Sequence, residues 1–338
     1  MEIKFLSSSL LLAITAFPLF ANAQCEPKHW MWHTYKKSFV TDEGRVVDTA
    51  NKRISHSEGQ GYGMLLAVHY DDKATFNKLW VWTQNNLQRD VDELFSWKWQ
   101  PSTPHVPDKN NASDGDILVA WALMRAEKQW RNEGYGRSAR NIIRTLQRSH
   151  IQRLGGETIL LPGAHGFTFK ERTVVNPGYW VYPAFDAFSQ YDKSWERLSN
   201  SGLSILDKNL YGDAKLTPDW LEYSREKWQP ADSFAPQFSY SNYRIPLYMV
   251  WGEKQHPLNR NYQNWLGRDN VAWVDVISGQ KATYQPPPGA NAIAQLVELA
   301  DGTRSMKQGI SVSPDGKDYY SDSLVLLSHM AFTERVCK

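Results

Sequence analysis

Two short runs of the 338-residue chain combine carboxylates with small residues in patterns that could do chemistry. In residues 55–64, Glu58 stands at the mouth of a glycine-dense turn made by Gly59, Gly61 and Gly63, just before an apolar stretch. Small residues let another backbone or a ligand approach closely, and three glycines in five positions exceed what a helix start requires. Glu58 is therefore the first candidate acid; its alternative reading is a helix-start carboxylate that complements the macrodipole. In residues 110–116, Asp114 and Asp116 lead into an apolar segment over 117–123. Two carboxylates two residues apart cannot share one helical face. Ser113 or Asp114 is expected to cap the helix, leaving Asp116 to point into a cleft.

The elements that must position these groups are helices. Apolar residues recur at three- and four-residue spacing over 61–70, 74–87, 115–131, 137–148, 180–191, 195–209, 240–251, 290–299 and 319–332. Neither a run of alternating strands nor a Gly/Ser-rich linker breaks the pattern, which predicts one all-α domain over 24–338. Loops rich in Pro and Asn, at 99–111 and 285–289, are where such a scaffold would display binding residues.

Residues 1–23 read as a secretory signal: Lys4, an apolar stretch over 10–20, then Ala21-Asn22-Ala23 before the cleavage point. The apolar stretch is shorter than the roughly 20 residues of a membrane span, so the expectation is an exported protein, periplasmic or secreted, with no membrane insertion. Cys25 and Cys337, the two cysteines, form an even pair in an oxidising compartment and predict a disulfide. Lys+Arg 38 against Asp+Glu 36 gives a net charge of +2 without basic clusters, which excludes nucleic acid as a partner. Trp 15, Tyr 16 and Phe 13 are an excess of rings, to be used as core anchors or as stacking platforms. Metal-ligand spacings, a nucleophile elbow and a phosphate-binding glycine loop are all missing, so no metal and no cofactor are expected.

Taken together, Ser-Glu-Gly-Gln-Gly-Tyr-Gly-Met at 57–64 and Asn-Asn-Ala-Ser-Asp-Gly-Asp at 110–116 resemble glycoside hydrolase family 8, especially its bacterial endoglucanases associated with cellulose synthesis. Thr217-Pro218-Asp219-Trp220, Asn176-Pro177-Gly178-Tyr179 and Arg244-Ile245-Pro246-Leu247-Tyr248 extend the likeness over nearly the whole chain after the leader. The resemblance implies an (α/α)6 barrel with a long substrate cleft at one end. It also implies a β-1,4-glucan (cellulose) chain cut internally with inversion, and a cellulose synthase complex as partner. Inversion needs a protonated carboxyl for the glycosidic oxygen and a second group to deprotonate water on the opposite face, roughly 6.5–9.5 Å away. By motif position Glu58 is the general acid, and Asp116 matches the aspartate that holds the distorted sugar. Tyr179 matches a tyrosine near the catalytic water, Arg244 closes the final motif, and Trp97 matches a ring on which a glucosyl unit stacks. Tyr62, Trp99, Trp180 and Tyr182 are further candidate sugar contacts.

The chain departs from the family where its general base belongs. The family pattern Ser-Tyr-Asp-Ala-x-Arg is here Ser239-Tyr240-Ser241-Asn242-Tyr243-Arg244, which puts Ser241 in the base position. A hydroxyl has no useful basicity near neutral pH. Three readings stay open: a base from another loop, with Asp186, Glu226 or Asp232 as candidates; a slow hydrolase using Asp116 or unassisted water; and a glucan-holding protein that no longer cuts. Survival of Glu58 and Asp116 in full motif context favours an enzyme. Chitosan as substrate would need extra carboxylates for its ammonium groups, which the near-neutral charge balance does not supply.

Overall fold

The computed structural model describes residues 25–269 and 271–337; the leader read at 1–23 lies outside them. In chain order the helices begin with α1 (His29–Phe39), α2 (Ser57–His69), α3 (Lys73–Leu87), α4 (Ser113–Trp130), α5 (Glu133–Ser149) and α6 (Tyr182–Phe188). They continue with α7 (Ser194–Lys208), α8 (Arg244–Trp251), α9 (Leu258–Asn264), α10 (Pro288–Ala300) and α11 (Tyr319–Ala331). Two of these, α1 and α9, lie outside the segments expected from periodicity.

Burial sorts the helices into two rings. α2, α4, α8, α10 and α11 are buried on nearly every side, and α6 on all but Asp186 and Ala187. Helices apolar all round must sit inside. They form a closed inner ring in which α2 meets α4, then α6, α8, α10 and α11 follow, and α11 returns to α2. The others bury one face only: α5 exposes Arg137, Arg144 and Arg148 and buries Tyr135, Ala139, Ile142, Ile143 and Leu146. α1, α3, α5, α7 and α9 make an outer layer, so the expected (α/α)6 barrel is the architecture present. α1 closes the ring by packing on α11, where Tyr35 and Ser323 share a hydrogen bond of 3.1 Å between their hydroxyls.

The closest inner pairing, α2 with α4, depends on glycine. A Cβ on Gly61 would lie 2.5 Å from Leu118 Cβ, and one on Gly115 would lie 2.1 Å from Ser57 Oγ. With hydrogen there instead, the first turns of the two helices come into contact. α2 also starts earlier than the apolar spacing suggests, at Ser57, which puts Glu58 inside its first turn. α4 starts at Ser113 with Ala112 as N-cap and no side-chain cap bond, so neither Ser113 nor Asp114 serves as the expected cap.

Short antiparallel strands decorate the barrel: β1 (Ser55–His56), β2 (Lys98–Trp99), β3 (Ile151–Leu154), β4 (Glu157–Leu160), β5 (Arg172–Val175), β6 (Leu221–Ser224), β7 (Lys227–Pro230), β8 (Gln237–Phe238) and β9 (Val274–Asp275). They were not expected; at two to four residues each, they are too short for alternation to register. β1 pairs with β2, with Ser55 opposite Trp99, and β5, β6 and β7 form one sheet. Among the described residues no helix is long and apolar enough to cross a membrane.

Cys25 and Cys337 form the expected disulfide, with Cα atoms 5.6 Å apart at a sequence separation of 312. Cross-linking so large a loop restricts the unfolded chain. Cys337→Ser is expected to destabilise the fold by about 2–5 kcal/mol, read as a lower urea midpoint; an unchanged midpoint would show that the ring closes without the bond.

Candidate active site

The six inner helices start on one face of the barrel, and their first turns assemble a charged cluster. Glu58 comes from α2, Asp114 from α4 and Arg244 from α8. Arg244 Nη1 lies 2.7 Å from Glu58 Oε1 and 3.0 Å from Asp114 Oδ2, and also donates to the Tyr62 hydroxyl at 3.4 Å. Its Nε donates to the Ser241 carbonyl at 3.1 Å, and the guanidinium sits 5.7 Å from the centroid of the Tyr179 ring. The arginine and Asp114 side chains are 4% and 2% exposed against 21% for Glu58, so Glu58 is the member of the trio with an open side. Burial and the neighbouring Glu58 push the Asp114 carboxyl above its ordinary range, against the pull of Arg244.

Asp116 is elsewhere. It is fully buried, accepting from Phe95 N–H at 2.8 Å and from Asn111 Nδ2 at 2.7 Å. Asn111 in turn accepts from Ala164 N–H at 2.7 Å and Arg89 Nη1 at 3.2 Å, which ties two loops to the start of α4. The expectation that Asp116 points into a cleft is thus corrected: two steps along a helix is about 200° of rotation, and the buried side belongs to Asp116. Asp114, the residue read as a cap, is the one beside Glu58. Burial pushes Asp116 up to about 8, only partly opposed by its two donors.

Ser241 does stand in this cluster. Its hydroxyl donates to Asn176 Oδ1 at 2.9 Å and accepts from Arg244 Nη2 at 3.3 Å. It is a clamp on the arginine rather than a proton acceptor. Of the alternative carboxylates, Asp186 pairs with Lys254 at 2.9 Å on the opposite end of the barrel, beside Arg125 and Glu334, and is removed as a base. Glu226 sits in the exposed β6–β7 turn with φ of 61°, roughly 10 Å of strand beyond Leu221. Asp232 follows β7 on an exposed loop, its N–H directed at Glu222 Oε2 at 3.3 Å, two residues before Phe234.

The aromatic candidates divide. Trp180 and Tyr182 are buried core and cannot stack on a sugar, and Tyr62 is buried with its hydroxyl 2.9 Å from that of Tyr248. Trp99 is engaged by Arg45 at 4.7 Å and by a parallel His105 ring at 4.8 Å. Trp97 is half-buried, with Nε1 donating to Asp108 at 2.8 Å. Tyr179 meets the Trp220 ring edge-on at 6.2 Å. Trp220 itself, named from sequence only within a family segment and given no role there, is stacked on Phe167 at 5.8 Å and on Phe234 at 4.3 Å. Asp219, likewise named without a role, is buried and pushed up to about 6 by that burial; it accepts from the N–H and hydroxyl of Ser239 and fixes the turn that carries Ser241. The adjacent Asp-Trp pair at 219–220 was the available signal.

A carboxylate with one open side, an arginine binding it to a second carboxylate, and nearby aromatic rings at the helix starts of an α/α toroid define a carbohydrate-processing (α/α)6 barrel. The comparisons agree. The model for glycosyl hydrolases family 8 matches residues 4–334. A probable endoglucanase of Novacetimonas hansenii is 36% identical over 319 residues, covering 91% of each chain. The crystal structure of endoglucanase Cel10 from Klebsiella pneumoniae superposes with a TM-score of 0.83 at 35% identity, covering 90% of this chain and all of that one. The endo-β-1,4-glucanase CMCax of Acetobacter xylinum gives 0.81 at 35%, covering 92% of this chain and 98% of that one. The chain belongs to glycosyl hydrolases family 8.

The Asp116 carboxyl has a folded value near 8, far above its unfolded one, so its contribution is complete at acid pH and is lost as pH rises through about 8. Asp116→Asn removes that titration. The stability advantage of the natural protein over this variant is expected to shrink from pH 5 to pH 9 in chemical denaturation; a constant difference would sink the assignment.

Proposed function

We propose that the chain is an exported endo-β-1,4-glucanase that cuts internal bonds of cellulose-like glucan with inversion and works beside a cellulose synthase complex. The observation that carries the reading is Glu58 held on Arg244 with Asp114, open on one side, at the convergence of the inner helix starts. The relatives named as endoglucanases support the substrate and the mode of cleavage. Export rests on the leader pattern and accords with the disulfide. The synthase rests on the resemblance to members associated with cellulose synthesis.

Glu58 gives its proton to the glycosidic oxygen as the bond breaks. Asp114 stands beside it at the cleavage position and shares its arginine. The attacking water must lose a proton on the opposite face of the sugar, and Ser241, committed to Asn176 and Arg244, cannot take it. That task is assigned to Asp232, on the loop that also carries Phe234 to Trp220 next to Tyr179. Ser241 is also the observation that favours a second reading, a protein that holds glucan without cutting it.

On carboxymethyl cellulose the purified protein is expected to lower viscosity faster than it releases reducing ends, and Glu58→Gln to lose about 10²–10⁴-fold in rate. Intact hydrolysis in Glu58→Gln would remove the acid assignment. No viscosity loss, with retardation in a glucan affinity gel, would establish the holding protein instead. Asp232→Asn is expected to slow hydrolysis at least about tenfold, and Ser241→Asp in that background to recover part of it; an unaffected Asp232→Asn rate returns the search for the base to other groups.

A further inference from the structure

α2, which carries the acid, is capped by an unusual group. His56 has extended backbone (φ −136°, ψ 156°), and its Nδ1 accepts the N–H of Gly59, the residue after Glu58, at 3.0 Å. Ser, Thr, Asp and Asn are the usual N-caps, and their oxygens accept at any neutral pH. An imidazole nitrogen accepts only while it carries no proton, so this cap exists only while Nδ1 is bare. The other nitrogen, Nε2, faces Asp48 Oδ2 at 3.7 Å. That carboxylate holds the proton on Nε2, which is the tautomer the cap requires.

The same surroundings also favour the cation that would break the cap. Asp48 lies ahead of β1, Glu58 and Asp114 approach from α2 and α4, Lys98 is the strand partner across β1 and β2, and α11 brings the edge of the Tyr319 ring to 5.5 Å. Burial pushes the imidazole down, while Asp48, Glu58 and Asp114 together push it above its ordinary value. A proton added to Nδ1 turns the acceptor into a donor pointed at the Gly59 N–H, and the first turn of α2 loses its cap.

We infer that His56 is a positioning residue for Glu58, seating the acid against Arg244 when neutral and releasing that seat when protonated. The inference rests on Glu58 being the acid. With Ser241 in the family's base position, the fall of activity toward acid pH carries two titrations, that of the base assigned to Asp232 and that of this histidine, and a non-titrating cap at residue 56 separates them.

The test is kcat and KM on a soluble β-glucan between about pH 5 and 8.5 for the natural protein, His56→Ala and His56→Asn. His56→Ala is expected to lower kcat about tenfold at the alkaline end with KM within about twofold. His56→Asn, whose amide oxygen caps but does not titrate, is expected to recover most of that loss and to shift the acid-side fall to lower pH. A natural kcat in His56→Ala, or an unshifted acid limb in His56→Asn, overturns the inference; if His56→Ala does not fold, the asparagine variant decides. A nuclear magnetic resonance titration reads the cap without activity: the Gly59 amide is expected to move with the His56 ring, and an amide that stays still while the ring titrates also overturns it. A natural protein that hydrolyses nothing would sink the proposed function, while the amide titration would still decide the cap.

Discussion

One guanidinium organises the working end of this barrel. Arg244 is almost wholly buried at the start of α8, where the helix dipole opposes a cation. Its burial is tolerable only because Glu58, Asp114, the Tyr62 hydroxyl and the Ser241 carbonyl and hydroxyl satisfy it from several directions. The two acids sit at the starts of α2 and α4, where the dipole favours anions. Three helix starts are thereby tied together. The geometry is possible because Gly61 and Gly115 let the first two helices meet without a Cβ between them.

The opposite end shows the same arrangement with the charges exchanged. There Glu334, beyond α11, accepts from Arg125 of α4, from the Trp251 indole of α8 at 2.9 Å, and pairs with His69 of α2 at 3.2 Å. His69 and Arg125 hold its carboxyl down to about 2 despite burial. The same three inner helices, α2, α4 and α8, are thus fastened at both ends by a shared buried ion. The open edge of the first cluster lies at Glu58, so the rigidity of the scaffold is delivered to the one side chain placed to meet a substrate.

Much of this was legible in the sequence, for identifiable reasons. Helices with a three- and four-residue apolar rhythm were readable, as were Glu58, which lies in a motif of restrictive small residues, and the cysteine pair. α1 was missed although its buried residues Met31, Trp32, Tyr35 and Phe39 keep that rhythm, because the segment is only 11 residues long and the rest of it is histidine, lysine and hydroxyl side chains with one exposed tryptophan. The choice between Asp114 and Asp116 was out of reach because it depends on which side of α4 faces α8, a fact of tertiary packing. The stacking candidates Trp180 and Tyr182 failed for a related reason. A ring-rich chain of this size uses many of its aromatics as core, and only the fold says that Trp220 is near Tyr179 while Trp180 is buried.

A closed ring also has a seam, and here it falls between the first outer helix and the last inner one. The buried face of α1 finds its partner on α11, and the hydroxyls of Tyr35 and Ser323 that meet there are 288 residues apart. A ribosome needs roughly 15–60 s to supply that much chain. Through that interval Tyr35 and Phe39 lack the Tyr319 ring they meet in the finished fold, although Trp32 already has the Tyr70 ring and Asp72, and α2 to α5 can pack on one another. The toroid is therefore assembled as an open arc that shuts late. The growing chain has to shield its earliest apolar helix until its latest one arrives.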